Sequence, residues 1–108
     1  MWTLRDFGLN LDNFNNSDEY LEDCLVEKGT DKTCNMIRKS IKDLFKERTC
    51  QTFVRPVNEE GLLSHIEDMK FEDLRPEFQD STEKFMDKVF KNLRPKIVNG
   101  KGLTGKMF

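Results

Sequence analysis

The longest regular pattern in the chain is an apolar stripe that lies between two prolines. Pro76 suits the first turn of a helix, and Pro95 must end that helix because proline lacks the backbone N–H that a helix interior uses. Large side chains recur between them at steps of three and four: Phe78, Thr82, Phe85, Met86, Val89, Phe90 and Leu93. Such a stripe is typical of a helix face that packs into a core rather than of a cofactor site, so this helix needs a neighbouring element.

Two further helices are predicted in the first half of the chain. The first covers about residues 17–28, with Ser17 as the expected N-cap and with Lys28 and Gly29 at its C-terminal end. The second covers about residues 33–48, and its basic side chains are expected to form a solvated face. Its apolar positions at helical spacing are Ile37, Ile41, Leu44 and Phe45.

Two short strands complete the predicted elements. Trp2, Thr3 and Leu4 favour a strand that ends at charged residues, and CQTFVRP favours a second strand that ends at Pro56. A short helix after Gly61 in LLSHIEDM is the weakest prediction, because glycine lowers helix propensity. The predicted fold class is therefore α/β, mostly helical, with about four helices and about two short strands.

Charge and hydropathy exclude several classes of protein. The 108 residues carry 18 Lys and Arg against 20 Asp and Glu, so a net charge of −2 does not favour binding to nucleic acid. No apolar run approaches the roughly 18 residues of a membrane span, and the N-terminus has no secretory signal pattern. We therefore expect an intracellular, cytoplasmic chain without a membrane segment.

The sequence offers no complete catalytic or metal-binding motif. It lacks GxxxxGK[ST], HExxH and GxSxG, and GKGLTGK near the C-terminus is interpreted as a cluster of turns. Cys24, Cys34 and Cys50 are an odd number without a CxxC pair, so they are predicted to be reduced and mostly packing residues. His65 is predicted to be a half-exposed helix residue rather than a ligand or base. No catalytic residue and no metal ligand are assigned.

Arg5 and Asp6 follow the first strand directly and have two possible interpretations. A carboxylate at a strand end can accept hydrogen bonds from the N1–H and the exocyclic amine of guanine, which adenine does not offer as a pair. Arg5 would then stack on a base or bind a nearby carboxylate. The alternative is a surface ion pair or a turn, and the dipeptide alone does not choose between them.

The order of several motifs along the chain resembles one known family. WTLRDFGLNL, DEYL, an N..IR..I...F helix, CQTFVRPVNEEGLL, LRPEF and a final LTG turn are similar to guanylate-binding proteins, which belong to the dynamin superfamily of large GTPases. Atlastins share the Arg-Asp pair, but the Arg-Pro and LRPEF segments fit guanylate-binding proteins better. The resemblance covers nearly the whole chain and corresponds to the C-terminal part of a GTPase domain.

The resemblance implies roles for two sets of residues. The guanine-recognition motif TLRD corresponds to Thr3, Leu4, Arg5 and Asp6, with Asp6 reading the base. The guanine cap, which covers the base and takes part in head-to-head dimerisation, corresponds to residues 53–69 and includes Phe53, Arg55 and Pro56. Val54 departs from the family, which commonly has Asp there, so a polar contact by that Asp is not implied.

The resemblance also implies what this chain does not carry. In the family the P-loop, the switch threonine and the DxxG loop precede TLRD, so residues 1–108 are expected to be a partial GTPase domain that is inactive alone. The opening strand is expected to lack its parallel neighbours. GTP or GDP is the implied ligand, Mg²⁺ is expected only with the missing part, and the complete protein is expected to form a homodimer through its GTPase face.

Two alternatives remain at this point. The chain could be a self-sufficient helical interaction module in which Arg5 and Asp6 are incidental. It could also be a regulatory remnant that docks on an intact relative through the cap. Within the partial domain, the segments are the recognition motif 3–6, the cap-like segment 53–69 and a helical remainder 75–108, which ends in Met107 and Phe108 as apolar groups without a partner.

Overall fold

The computed structural model describes residues 1–98 and 100–106 of the chain. Met107 and Phe108, expected to be unpartnered apolar groups, lie outside the described residues. The strands are β1 Trp2–Leu4, β2 Cys50–Thr52, β3 Ile97–Val98 and β4 Lys101–Gly102. The α-helices are α1 Ser17–Cys24, α2 Lys32–Leu44, α3 Glu60–Leu63 and α4 Pro76–Lys91, and two 3₁₀ turns lie at Ile66–Asp68 and Phe71–Asp73.

The two predicted strands form a small parallel sheet. β1 pairs with β2 in the register Trp2 with Cys50, Thr3 with Gln51 and Leu4 with Thr52. The predicted α/β class and the four helices are confirmed. The opening strand keeps β2 as one parallel neighbour, which corrects the expectation that it has none. The antiparallel pair β3 and β4 was not predicted, because its two-residue strands carry no periodicity to read.

The ends of the helices differ from the prediction where long-range contacts compete with local signals. Asn16 caps α1 by accepting the Glu19 N–H, whereas the expected cap, Ser17, is buried and donates its hydroxyl to the Cys50 carbonyl at 2.6 Å. The second helix begins after its cap Asp31 and ends at Leu44, four residues earlier than expected. In place of the short helix predicted in LLSHIEDM, the structure has one α-helical turn that begins earlier, at Glu60, and ends at Leu63, followed by a 3₁₀ turn at Ile66–Asp68.

Side chains cover the outer edge of β2. The Cys50 N–H donates to Asp18 at 2.6 Å, and the Cys50 carbonyl accepts from Ser17 and from the Lys88 ammonium, each at 2.6 Å. The Thr49 hydroxyl also donates to Asp18, at 2.8 Å. These bonds fasten α1 and α4 to β2 and satisfy backbone groups that another strand would otherwise pair.

The described chain buries little apolar surface for its length. Its radius of gyration is 17.7 Å, against about 13 Å for a compact domain of about 100 residues. The buried apolar residues are Leu25, Cys50 and Val57. Much of the predicted stripe of α2 faces solvent, with Ile37 53% and Leu44 77% exposed. The Phe45 ring, directly after the helix, packs edge-on against Trp2 with ring centroids 6.1 Å apart.

The cysteine prediction is confirmed for one residue of three. Cys50 is buried in β2, whereas Cys24 and Cys34 are exposed and so are not packing residues; all three are free thiols. His65 is also exposed, not half-exposed in a helix, because it precedes the 3₁₀ turn rather than continuing α3. None of the described helices is both long and apolar enough to cross a membrane.

The bonds at Asp18 predict a pH dependence of stability. Burial alone would raise its pKa, but hydrogen bonds from Cys50 and Thr49 and the charge of Lys88 hold the pKa of Asp18 below its ordinary value of 3.8. The folded state therefore gains stability from Asp18 above that value and loses it as pH falls through the lowered pKa. Because the side chain is 45% exposed, we expect Asp18→Asn to lower the free energy of unfolding at pH 7 by only about 1 kcal/mol.

Urea unfolding of the wild type and Asp18→Asn between pH 7 and pH 2.5 measures this effect. The gap between them is expected to be constant above about pH 5 and to close at the acid end. Asp43→Asn is the control, because Asp43 is exposed and pairs only loosely with Lys46 at 3.6 Å. A gap that does not narrow at all between pH 5 and pH 2.5 would show that Asp18 acts through packing and not through its charge.

Candidate functional site

A cavity of about 900 Å³ lies where β1 and β2 end. Six of the seven residues predicted for base recognition and the cap line it: Thr3, Arg5, Asp6, Phe53, Arg55 and Pro56. The seventh, Leu4, does not line the cavity; it is half-buried, and its carbonyl accepts the Phe53 N–H at 2.8 Å. The structure thus brings together two segments that lie almost 50 residues apart in the sequence.

The end of β1 presents Arg5 and Asp6 at the rim of this cavity. Both side chains are exposed, and within the described part of the chain neither forms an ion pair, so the surface-pair interpretation of this dipeptide is not supported. Asp6 has φ +50°, the left-handed region that asparagine and aspartate enter more readily than other residues with a side chain. Backbone outliers of this kind concentrate at functional sites.

Aromatic side chains of α4 form the apolar part of the cavity. The Phe53 ring packs against Phe78 with ring centroids 6.0 Å apart and against Phe85 at 5.6 Å. The sequence predicted Phe78 and Phe85 only as core residues of the stripe, and it missed their place in the cavity. The other lining residues that it missed individually are Glu60, Leu63 and Ile66, although all three lie within the cap-like segment.

Arg75, the residue just before α4, holds the cap-like segment in place. The Arg75 N–H donates to the Pro56 carbonyl at 2.8 Å, and the Arg75 guanidinium donates to the Arg55 carbonyl at 3.3 Å. The next residue, Val57, is buried. Val54, where the family commonly has Asp, is half-buried and adds an apolar side chain to the cavity. The backbone of residues 55–57 is therefore fixed, while the Arg55 side chain borders the cavity.

The chemistry of the cavity suits binding rather than covalent catalysis. Its ionic groups are Arg5, Asp6, Arg55 and Glu60, and most of the remaining lining is apolar or aromatic. A flat heterocycle could lie on the apolar side chains while a carboxylate at the rim accepts its N–H groups. In residues 1–98 and 100–106, no group of three or more His, Cys, Asp or Glu residues is arranged to hold a metal ion.

Comparison with known proteins gives a family match over most of the chain. Residues 1–97 match the family described as guanylate-binding protein, N-terminal domain. Guanylate-binding protein 6 of Homo sapiens is 36% identical over 111 residues, which cover 96% of this chain and 17% of that protein. Guanylate-binding protein 1 of Homo sapiens is 36% identical over 107 residues, with coverage of 93% and 18%. Guanylate-binding protein 7 of Mus musculus is 34% identical, with coverage of 96% and 18%. The chain spans less than a fifth of the length of these relatives.

Proposed function

Because this chain belongs to the guanylate-binding protein family, we propose that it supplies the base-recognition part of a guanine-nucleotide site in a large GTPase. The observation that carries the proposal is the shared cavity, in which Arg5 and Asp6 meet Phe53, Arg55 and Pro56. These are the residues that the family resemblance singles out in two separate segments. In a helical interaction module without nucleotide binding, nothing would require these residues to line one cavity.

In this proposal Asp6 reads the base. Its carboxylate accepts one hydrogen bond from guanine N1–H and another from the exocyclic amine, and both donors lie on the same edge of the ring. Adenine presents an acceptor at N1, which repels a carboxylate. Because Asp6 is exposed and forms no ion pair among the described residues, its oxygens are open to a ligand.

The other residues of the site hold the base in its plane. The Arg5 guanidinium stacks along the ring, and Thr3 borders the cavity beside it. Leu4 contributes through its backbone, which binds Phe53. Phe53, Arg55 and Pro56 cover the opposite side as part of the cap, residues 53–69. In the complete protein this cap also takes part in the nucleotide-dependent homodimer.

GTP hydrolysis belongs to the longer protein in this proposal. Phosphoryl transfer depends on groups that position the phosphates, Mg²⁺ and the attacking water. Residues 1–108 contain no GxxxxGK[ST] sequence. This segment therefore binds the guanine base of GTP or GDP, and the phosphates and Mg²⁺ are held by other parts of the protein.

Competition between nucleotides tests the proposal directly. A fluorescent GDP analogue bound to the chain is titrated with GDP and with ADP, and we expect GDP to compete at least about tenfold better, as the loss of hydrogen bonds to a charged acceptor predicts. Equal competition by ADP would contradict base recognition. Guanosine is the ligand matched to GDP. It has no phosphates, so it retains the base contacts and removes the phosphate contacts.

A second candidate function is favoured by the exposed apolar face of α2. Met36, Ile37 and Leu44 of α2, with Phe45 directly after the helix, are between 53% and 77% exposed, as in a helix that binds a partner. A folded, monodisperse chain that ignores all nucleotides would favour an interaction module. A chain that binds an intact relative in pull-downs only with GTP present would favour a regulatory role through the cap.

A further inference from the structure

The pairing of β1 with β2 changes at Phe53. In the regular register, the Trp2 N–H donates to the Thr49 carbonyl at 2.8 Å, and the donor for the Phe53 carbonyl would be Asp6. The observed donor is instead Phe7, at 2.8 Å, while the Phe53 N–H still donates to the Leu4 carbonyl. Two residues, Arg5 and Asp6, therefore lie opposite the single residue Phe53. This arrangement is a β-bulge in a parallel pair, where bulges are rare.

The backbone of Asp6 fits this interpretation independently. Its φ of +50° departs from the extended backbone of a regular strand, as expected where the ladder is locally disrupted by a bulge. Bulges bend a strand and redirect side chains, and they are frequent beside active sites. A continuous ladder would alternate Arg5 and Asp6 between opposite faces of the sheet. With the bulge, both side chains border one cavity.

Phe53 is the residue that holds the bulge on both sides. Its N–H and its carbonyl bind the residues immediately before and after Arg5 and Asp6, so its position sets the span across the dipeptide. Its ring is held in turn by Phe78 and Phe85 of α4. A displacement of Phe53 would therefore change the direction of the Asp6 carboxylate even if Asp6 itself were unaltered.

We propose that Phe53, clamped by Phe78 and Phe85, is a positioning residue that sets the base selectivity of Asp6 through the bulge at Arg5 and Asp6. This role rests on the proposed function, because it needs a base for Asp6 to read. It also goes beyond that function, since it assigns selectivity to an aromatic cluster that forms no hydrogen bond with the base. The carboxylate accepts two bonds from guanine only when it is aimed along the plane of the ring.

The bulge is tested without any nucleotide by amide hydrogen exchange. We expect the Phe7 and Phe53 amides to be protected and the Asp6 amide to exchange at least about tenfold faster than Phe7 after correction for intrinsic rates. Protection at Asp6 instead of Phe7 would mean a continuous ladder and would overturn the proposal. The left-handed backbone is tested by comparing Asp6→Gly with Asp6→Ala, where the glycine variant is expected to unfold at the higher temperature.

The positioning role is tested by the ratio of the affinity for GDP to the affinity for inosine diphosphate (IDP), whose base is hypoxanthine. Hypoxanthine lacks the exocyclic amine of guanine, so it loses one of the two bonds to Asp6 but keeps the rest of the ring. We expect Phe53→Leu, and separately Phe85→Leu, to lower this ratio by at least about threefold. A purely structural loss would weaken GDP and IDP equally and leave the ratio unchanged. Phe90→Leu is the control, because Phe90 lies on α4 but is 63% exposed and is not part of the cavity lining.

The outcomes separate the positioning role from the proposed function. If the wild-type chain binds GDP and IDP equally, Asp6 does not read the exocyclic amine, and both inferences fail. If the wild type discriminates and both phenylalanine variants discriminate equally well, only the positioning role is overturned. In the Asp6→Ala background, Phe53→Leu is expected to leave the ratio unchanged, because there is no carboxylate left to position.

Discussion

Asp6→Asn is expected to change the preferred base from guanine to xanthine. The Asn carbonyl can still accept the N1–H, but its amide donates where the carboxylate accepted, and it therefore matches the C2 carbonyl of xanthine instead of the amine of guanine. The loss of a charged hydrogen bond and the placement of two donors face to face are expected to weaken GDP binding about 10- to 100-fold. Binding of XDP is expected to rise by a similar factor. Competition titrations with GDP and XDP measure both changes.

The substitution suits the backbone at this site, and a matched control is available. Asparagine tolerates the left-handed φ of Asp6, so the variant is expected to fold like the wild type. Asp12→Asn removes the same charge from an exposed loop carboxylate that accepts a hydrogen bond from the Asn10 side-chain amide, away from the cavity lining. Loss of GDP binding in both variants would mean that net charge, rather than Asp6, controls affinity. An Asp6→Asn chain that keeps its preference for guanine would refute the base-reading role.

The isolated 108 residues are expected not to hydrolyse GTP. The proposed site holds a base, whereas the reaction needs groups that position the γ-phosphate, Mg²⁺ and a water molecule. The expected result is phosphate release in the presence of Mg²⁺ that does not exceed the rate without protein. The same preparation must compete for fluorescent GDP, so that inactivity is not confused with loss of folding.

A chimaera supplies the positive control for this prediction. Residues that precede the corresponding motif in guanylate-binding protein 1 of Homo sapiens are placed before Trp2, and hydrolysis is expected to appear in that longer chain. Asp6→Asn in the chimaera is expected to change its nucleotide preference from GTP to XTP. GTP hydrolysis by the 108 residues alone would contradict the assignment of catalysis to the longer protein. The activity would have to co-purify with the chain and disappear in Asp6→Asn.

Local sequence signals predicted the helices well, but not the residues and hydrogen bonds at which the helices begin and end. Asn16 and Ser17 are both good N-cap residues, and the sequence around them does not choose between them. A tertiary contact makes the choice. The Ser17 hydroxyl donates a hydrogen bond to the carbonyl of Cys50, which lies in a strand 33 residues further along the chain. The end of α2 is a second case. Just after this helix, the Arg48 guanidinium donates to the Phe45 carbonyl at 2.6 Å and to the Glu22 carboxylate at 2.8 Å. Such tertiary bonds leave no periodic trace in the sequence.

The candidate site was predictable as a set of residues but not as a geometry. The resemblance named Arg5, Asp6 and Phe53, and the structure places all three around one cavity. The left-handed backbone of Asp6 could not be inferred, because it depends on which residue of β1 pairs with Phe53. The stripe of α4 likewise predicted that Phe85 is covered, but periodicity does not say whether a side chain packs in a core or borders a cavity.

The amphipathic pattern of α2 predicted a face and not its partner. Ile37 and Leu44 occupy the expected side of the helix, yet both are more than half exposed. Helical periodicity reports that a face is apolar, and it holds equally for a contact within the domain, with a further part of a longer chain or with another protein.

The two edges of the sheet formed by β1 and β2 differ in whether a further strand could pair with them. Ser17, Asp18 and Lys88 occupy the backbone groups of Cys50 on the outer side of β2, so a further strand could not add there without displacing three side chains. On the opposite side, β1 has no strand beside it among the described residues. Any strand that enlarges this sheet must therefore join beside β1, next to the strand whose end carries Arg5 and Asp6. In the proposed function, the groups that hold the phosphates would therefore approach the base from the β1 side.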